Sequence, residues 1–346
     1  MKINIPIFII LIFFMLISSS TLFSIGKSDY FIKQIIFWGI SFLILLSSSF
    51  VTYNNLLRDP YFKFFYIFII LMLTLLFILP SYRRSWFSFL GFSIQPSEFS
   101  RILLVASLSI FLSKFAYQLK NNIFLLFSFL IIAPIVLLIL LQPDLGMVSI
   151  FLLTWLVSIV IFLNKKQIIG LFLILLLLFI ISWFFILKEY QKERILTFIN
   201  PERKPLEEGY NLRQLKITIG SAGFLGKGYG KGTQARLGFL PSAHTDFILA
   251  SFIEERGFLG FLFYVFLSLF LLKTIVSEAS FIKEPLGYVY SYILAIHFGI
   301  RFLLAIMINL GIFPIIGLSV PFLSYGGSHL ISDFMLLSIW HNFRYL

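Results

Sequence analysis

Ten long apolar runs dominate the sequence and limit what the chain can fold into more than any other feature. They lie at about 5–25, 32–52, 61–80, 99–117, 122–141, 147–163, 167–187, 246–272, 288–311 and 322–342. A helix needs about 20 apolar residues to cross the roughly 30 Å hydrocarbon core of a bilayer. A strand edge facing lipid would leave its backbone groups without hydrogen-bond partners. The runs therefore predict an all-α, polytopic membrane protein with about ten transmembrane helices.

Composition excludes a soluble globular enzyme and a disordered chain. Hydrophobic residues make up 60% of the 346 residues and charged residues only 12%, whereas a soluble domain usually carries about 25% charge. The chain has no cysteine, which excludes disulfides, thiolate chemistry and cysteine-ligated metals. Its net charge of +12 could indicate nucleic-acid binding, but in a membrane protein it more often reports orientation.

Basic residues in the short loops predict that both termini are cytoplasmic, because such residues favour the cytoplasmic side. With the N-terminus inside, the cytoplasmic side holds Lys2, Arg58, Lys63, Lys114, Lys120, Lys165, Lys166, Lys273, Lys283 and Arg344. The opposite side holds only Lys27, Lys33, Arg83, Arg84 and Arg101. The long loop at 188–245, between the seventh and eighth helices, is then extracytoplasmic. No internal repeat is visible, so we expect one membrane domain over residues 1–346.

Four short polar segments fall at helix ends on the outer side of this topology, at 83–98, 142–146, 240–260 and 321–329. Each could be only a cap or a re-entrant turn, but their common side indicates one outward-facing cavity. Asp246 stands at the entrance of the eighth helix, where it could act as a general base at the membrane boundary. Alternatively, the charge of Asp246 only stabilises the helix dipole, and Thr245 or Ser242 caps the helix. His244 could orient Asp246, although a lone histidine is more often a loop hydrogen-bonder.

Other polar residues have both a structural and a functional interpretation. Trp86 is either an interfacial belt residue or part of the site. Glu98 follows Pro96 at the start of the fourth helix, where it suits the positive helix end or a substrate contact. Asp144 could hold its turn through an Asx-type bond.

Two charges, Arg301 and Asp333, lie inside apolar runs. Charges within a membrane are costly and usually face a partner or an aqueous cavity. We therefore expect an ion pair of Arg301 with either Asp333 or Glu255.

A glycine-rich segment occupies the long loop at 220–234, with Lys227 and Lys231 between its glycines. Glycines let backbone N–H groups approach an anion, and lysines add point charge. The segment would suit a pyrophosphate or a lipid phosphate, or it could be only a tight turn. It is not a Walker loop, because no strand precedes it and GK[ST] is absent.

Six ordered motifs resemble those of the SEDS proteins (shape, elongation, division, sporulation). They are Trp86 with QPSE (95–98), QPDLG (142–146), GKGYGKGTQ (226–234), LPSAHTDF (240–247), EE-x-G-F-x-G (254–260) and P-x-x-G…PFLSYGGS (314–328). The run ending in GTQ is most similar to the RodA subfamily, whereas Asn309 before Leu310 and Gly311 is similar to the FtsW pattern. Four residues depart from the usual family pattern, namely Arg101, Leu215, Ala222 and Ser242.

The resemblance implies a peptidoglycan glycosyltransferase of the bacterial cytoplasmic (inner) membrane. Such an enzyme polymerises lipid II, an undecaprenyl-diphosphate disaccharide-pentapeptide, into glycan strands for cell elongation and rod shape. The implied partners are a class B penicillin-binding protein, which is a transpeptidase, and membrane proteins of the rod complex.

We expect Asp246 to be the catalytic base of an inverting transfer and the other motif residues to bind substrate or support the site. Those residues are Trp86, Gln95, Ser97, Glu98, Arg101, Asp144, Lys227, Lys231, Gln234, Arg236, His244, Thr245, Ser324, Tyr325 and Gly326. The departing diphosphate needs positive charge, for which Arg101, Lys227, Lys231 and Arg236 are the candidates. A divalent cation (Mg²⁺ or Mn²⁺) could share that work, and no protein metal site is predicted.

Two alternatives belong to other functional classes. A lipid II flippase would need important polar residues at mid-membrane and on both faces, whereas the polar motifs crowd one face. A non-catalytic scaffold for the transpeptidase would tolerate loss of the Asp246 carboxylate.

Overall fold

The computed structural model describes residues 4–26, 28–48, 50, 55, 57, 59–78, 85–89, 92–202 and 208–345. Its helices are α1 (Ile5–Ser24), α2 (Ser28–Ser47), α3 (Tyr61–Ile78), α4 (Pro96–Phe115), α5 (Asn122–Leu130), α6 (Ala133–Leu141), α7 (Leu145–Val160), α8 (Lys165–Ile181), α9 (Glu189–Ile199), α10 (Glu208–Gly220), α11 (Thr233–Arg236), α12 (Ile248–Ala279), α13 (Pro285–Asn309) and α14 (Gly327–Tyr345). A short hairpin of β1 (Phe87–Phe89) and β2 (Phe92–Ile94) precedes α4. Lys2, Lys27, Arg58, Arg83 and Arg84, which entered the sequence-based topology, lie outside the described residues.

All ten predicted apolar runs are helical over most of their length, and the all-α membrane class is confirmed. Seven of the described helices are long and apolar enough to cross a membrane, or eight if α5 and α6 form one span bent by 45°. The remaining two predicted spans are α7, which has only 16 residues, and α14. Helix α14 carries buried polar side chains such as His329 and Asp333, which lower its apolar character.

The most extensive helix–helix packing involves α2, α4, α12, α13 and α14. Helix α14 packs against α2 and α4, and α13 packs against α12 and α4. In contrast, α8 presents most of its apolar side chains outward. Helix α8 therefore lies at the edge of the bundle. Its exposed apolar surface suits contact with lipid rather than with water.

The long loop at 188–245 contains helices that the sequence did not predict. Helices α9 and α10 pack against each other, and α10 also packs against α12. We call the membrane side that carries α9, α10 and α11 the loop face. Residues 203–207 of the loop lie outside the described part of the chain.

Helix α12 is broken within its first third. Gly257 has φ +67°, a conformation that L side chains rarely adopt. A Cβ at Gly257 would lie 2.3 Å from the Gly226 nitrogen, so the glycine-rich segment crosses α12 in close backbone contact. The break separates a half-helix, residues 248–256, from the longer remaining part of α12. This half-helix begins directly after Asp246.

Candidate active site

A cavity of about 410 Å³ opens on the loop face and draws residues from all four polar segments. The predicted site residues that line it are Trp86, Gln95, Glu98, Asp144, Thr245, Asp246, Tyr325 and Gly326. Segments far apart in sequence therefore meet at one cavity. Ser97 and Ser324 are buried beside this lining.

Asp246 is held in place through the backbone on both of its sides. The Asn309 amide of α13 donates to the Asp246 carbonyl at 2.9 Å and accepts from the Ala250 N–H at 3.0 Å. The Ser324 hydroxyl donates to the Thr245 carbonyl at 2.7 Å. These contacts fix the Asp246 backbone against α13 and the 320–325 segment.

The start of α12 lacks the expected side-chain cap. Its N-cap is Phe247, which makes no capping hydrogen bond. The Thr245 hydroxyl donates instead to the Ser242 carbonyl at 3.3 Å, so neither residue caps the helix. The structural alternative in which Thr245 or Ser242 serves as the cap is therefore wrong.

Two cavity carboxyls have raised pKa values. Burial raises the Asp246 pKa to about 6, while the positive charge of Arg194 and the nearby Thr245 side chain act in the opposite direction. Burial also raises the Asp144 pKa to about 6, and the charges of Glu98 and Asp246 add to that effect. Hydrogen bonds from the Met147 backbone and from Gln95, each 3.0 Å long, lower the Asp144 pKa. Both carboxyls are mostly ionised at neutral pH and become protonated near pH 6.

Asp144 has the capping role that its turn predicts. Its Oδ1 accepts the Met147 N–H, as an N-cap does at the start of α7, and its Oδ2 accepts the Gln95 amide. The Asp144 side chain therefore links the second polar segment to the first while remaining in the cavity lining.

Below the cavity, four buried charges form one connected network. Arg101 contacts Glu98 at 2.5 Å and Asp333 at 2.7 Å, and Arg301 also pairs with Asp333. The Arg301–Asp333 pair is confirmed, and the alternative Arg301–Glu255 pair is not formed. Arg101 is completely buried and its guanidinium is already engaged. An Arg101 contact with a departing diphosphate is therefore not supported, because α14 supplies its counter-ion.

The glycine-rich segment surrounds a carboxylate of the protein itself. Glu254 accepts the Lys227 ammonium at 2.6 Å and the backbone N–H groups of Thr233 and Gln234 at 2.9 and 3.0 Å. The anion-binding chemistry predicted for this segment is present, but its anion is Glu254 of α12. A carboxylate inside a membrane helix needs such partners, because an unpaired one is costly there.

Four predicted cationic or polar site residues consequently lie outside the cavity lining. Lys227 and Gln234 contact Glu254, and Arg236 donates to the Gly230 carbonyl at 2.7 Å. Lys231 is exposed on the loop. The structure therefore does not support these residues as the positive charge at the cavity.

Arg194 of α9 is the cavity residue that the sequence analysis missed. Among the described residues, it is the one Lys or Arg side chain that lines the cavity. Its guanidinium lies 5.7 Å from the centre of the Tyr190 ring one helical turn earlier, and Tyr190 also lines the cavity. The i, i+4 spacing brings these two side chains together only in a helix, and the sequence did not predict a helix here.

An aromatic stack that the sequence did not predict adjoins the cavity. Tyr30 of α2 stacks on His244 and also contacts Tyr325, each with 4.6 Å between ring centres. The Tyr325 N–H donates to the His244 carbonyl at 2.9 Å. His244 therefore supports the loop before Asp246, and Tyr325 is the member of the stack that reaches the cavity.

The described residues contain no group of three or more His, Asp or Glu side chains that could hold a metal ion. Mg²⁺ is commonly bound by one or two carboxylates together with substrate phosphates and water. Asp144 and Asp246 fit that partial ligand set, and a divalent cation remains a prediction.

Comparison with known proteins identifies the family of the chain. Residues 1–345 match the model of the FtsW/RodA/SpoVE cell cycle proteins. FtsW of Wigglesworthia glossinidia brevipalpis, named a probable peptidoglycan glycosyltransferase, is 32% identical over 95% of this chain and 91% of its own length. The Escherichia coli K12 peptidoglycan glycosyltransferase MrdB is 37% identical over 68% of this chain and 64% of its own length.

Two solved structures share the fold. A chain from a peptidoglycan synthase complex that coordinates polymerisation and crosslinking has a TM-score of 0.79 and 25% identity, with 97% of each chain covered. Thermus thermophilus RodA has a TM-score of 0.69 and 22% identity, covering 99% of this chain and 97% of RodA. The chain is thus a member of the SEDS family, that of the FtsW, RodA and SpoVE cell cycle proteins.

Proposed function

We propose that this protein is a peptidoglycan glycosyltransferase that polymerises lipid II into glycan strands, with Asp246 as its general base. The curated relatives described above carry the name of this activity. The observation that carries the residue assignment is the position of Asp246, which lies in the cavity within electrostatic reach of Arg194. A base and a cation at one cavity are the two groups that transfer from a diphosphate requires.

The proposed reaction is a single inverting displacement. The 4-hydroxyl oxygen of the acceptor sugar forms a bond to C1 of the donor sugar, and its proton passes to the Asp246 carboxylate. The bond between C1 and the phosphate oxygen breaks, and undecaprenyl diphosphate leaves with the electron pair. An α-linked donor thus gives a β-linked product without a covalent intermediate. One carboxylate suffices because the diphosphate leaves without protonation, unlike the leaving group of most glycosidases.

The raised pKa of Asp246 suits this role. A base is most effective when its pKa lies close to the working pH while it stays ionised. With a pKa of about 6, Asp246 is mainly a carboxylate at pH 7 and is a stronger base than an ordinary aspartate. Asp144 carries a second negative charge nearby, which opposes further loss of protons from the site.

Location and partner follow from the same proposal. The cavity lies on the loop face, and the basic residues of the short loops favour an extracytoplasmic position for that face. Both termini are then cytoplasmic, and the protein works in the bacterial inner membrane. The solved relative in a complex of polymerisation and crosslinking supports a class B penicillin-binding protein as the partner. The RodA-like GTQ motif favours a role in elongation and rod shape.

The test is polymerisation of labelled lipid II by the purified protein with its transpeptidase partner, in the presence of moenomycin to silence classical glycosyltransferases. Asp246→Asn keeps the shape of the side chain and removes the base, so we expect a loss of about 10²- to 10⁴-fold. Asp29→Asn is the matched control, because Asp29 is exposed in the first turn of α2 and does not line the cavity.

Three outcomes of this test separate the functional classes. Polymer from the wild type and the control, but not from Asp246→Asn, supports both the reaction and the base. Near-normal polymer from Asp246→Asn refutes Asp246 as the base. No polymer from any variant, with partner bound and lipid II intact, refutes the enzyme and favours a flippase or a scaffold.

A further inference from the structure

A second, smaller cavity of about 120 Å³ lies beside the first, within the helical loop. It is lined by Arg194, Thr197, Phe198, Asn211, Leu212 and Ile315. Arg194 belongs to the linings of both cavities, so its side chain forms part of the boundary between them. At roughly 30 Å³ per water, the second cavity of about 120 Å³ has room for about four waters, which suits a diphosphate group rather than a disaccharide.

Thr197 lines this cavity and carries a hydroxyl that is buried and unpaired among the described residues. Thr197 is 2% exposed, and its Oγ1 has no hydrogen-bond partner among the described residues. A buried threonine in a helix usually donates to the carbonyl four residues earlier, as Thr218 of α10 does to Gln214 at 2.6 Å. Leaving a buried hydroxyl unpaired is costly. Rotation of the Thr197 side chain toward the cavity would let a ligand there supply the missing partner.

The charges around the two cavities favour opposite ligands. Three carboxyls line the larger cavity, those of Glu98, Asp144 and Asp246. None of the described residues that line the smaller cavity is acidic, and Arg194 lines it from α9. Glu98 is already paired with Arg101, but Asp144 and Asp246 would repel a diphosphate unless a divalent cation lay between them. On the far side of Arg194 the diphosphate meets a cation and two neutral hydrogen-bonding side chains. Arginine can serve both cavities, because its guanidinium carries five N–H donors.

We propose that the smaller cavity is the diphosphate subsite of the lipid-linked donor, in which Arg194, Thr197 and Asn211 hydrogen-bond the phosphate oxygens. This assignment rests on the proposed function, since it names the place of the leaving group in that reaction. When the bond from C1 to the phosphate oxygen breaks, the diphosphate takes the electron pair and gains negative charge. Arg194 would therefore interact more strongly with the departing diphosphate than with the bound donor, which lowers the barrier.

The first experiment measures binding without catalysis. Farnesyl diphosphate is titrated into the purified full-length protein, with farnesol as the neutral comparison. We expect Arg194→Gln and Thr197→Val each to weaken farnesyl diphosphate binding by about 10- to 100-fold, because each removes a donor to a charged ligand. Farnesol binding should not change. Thr197→Ser keeps the hydroxyl and is expected to bind farnesyl diphosphate as the wild type does.

Two matched controls separate the subsite from general effects. Arg256→Gln removes an arginine that is exposed and stacks on Tyr229 outside both cavities. Thr218→Val removes a buried hydroxyl from the neighbouring helix of the same loop. Both controls should keep wild-type affinity. Unchanged binding in Arg194→Gln and Thr197→Val, or equal losses in Thr197→Val and Thr197→Ser, would overturn the assignment.

Lipid II polymerisation by the same proteins separates this inference from the proposed function. If the wild type polymerises lipid II and the cavity variants bind farnesyl diphosphate normally, the function stands and the subsite is wrong. If the wild type makes no polymer, but the cavity variants bind farnesyl diphosphate more weakly than the wild type does, the subsite stands and the reaction is wrong. Titration with inorganic pyrophosphate distinguishes the sources of the diphosphate, since a site for the lipid-linked form should bind farnesyl diphosphate more tightly.

Discussion

Replacing Asp333 with asparagine should destabilise the protein more than almost any other change of a single charge. Asp333 pairs with both Arg101 and Arg301, and all of these side chains are buried. Together with Glu98, which pairs with Arg101, the network contains two positive and two negative charges and is neutral. Asparagine keeps the shape of the side chain but leaves a net charge of +1 inside the bundle.

The size of the effect follows from these contacts. An ion pair with charges about 4 Å apart is worth about 4 kcal/mol at an effective dielectric constant of about 20, and Asp333 makes two such pairs. Part of the lost attraction is offset, because a buried asparagine does not carry the free-energy cost of burying a charge. Removing one partner of a buried ion pair typically costs about 3–5 kcal/mol, and we expect a loss in that range in the free energy of unfolding.

Unfolding of the purified protein by sodium dodecyl sulfate, followed by tryptophan fluorescence, measures this loss. The control is Asp59→Asn, because the Asp59–Lys63 pair has side chains 61% and 73% exposed. An exposed pair is worth about 0–1 kcal/mol, so this control should remain close to the wild type. Equal free energies of unfolding for the two variants would refute the reasoning that the buried network of ion pairs holds the bundle together.

Three further predictions concern the site and the helix that carries it. Gly257→Ala should destabilise the protein, because the φ of Gly257 is +67° and a Cβ would meet the Gly226 backbone. The control is Gly170→Ala in α8, where a Cβ meets no atom within 4 Å. Equal thermal stability of the two variants would contradict this prediction. Asn309→Leu removes the hydrogen bond to the Asp246 carbonyl and should lower kcat of polymerisation more than it changes KM; a change in KM alone would show that Asn309 does not position the base. The wild-type polymerisation rate should fall about tenfold per pH unit below pH 6 and stay level above pH 7. The reason is that the Asp246 pKa is raised to about 6 and only the ionised base is active. A rate that is level down to pH 4.5 would exclude Asp246 as the titrating base.

The membrane fold was predictable because lipid imposes a length and a polarity on each helix. All ten apolar runs became helices, and the convergence of their polar ends followed from their common side of the membrane. The helices α9, α10 and α11 were not predictable in the same way. Their sequence is polar and lies beside the membrane, so no run of apolar residues marks where each helix begins and ends.

Long-range pairing explains the errors at the site. The sequence indicated correctly that the glycine-rich segment suits an anion, yet its anion is Glu254, which lies 20 or more residues later along the chain. Local pattern cannot tell a carboxylate of the protein from the phosphate of a substrate, because both accept the same backbone donors. Arg194 was missed for the converse reason, since a single arginine in a charged loop looks like an ordinary surface residue until the fold brings it to the cavity.

The buried network and the cavity are connected through one residue, Glu98. It pairs with Arg101 in the network and also lines the cavity. Its negative charge is one of the causes that raise the Asp144 pKa. Because Arg101 is itself fixed by Asp333, the network sets where the Glu98 charge lies relative to Asp144. The ion pairs that stabilise the bundle therefore also influence the protonation of the cavity carboxyls. Asp333→Asn, a change deep in the bundle, should alter the pH dependence of the reaction as well as the stability of the fold.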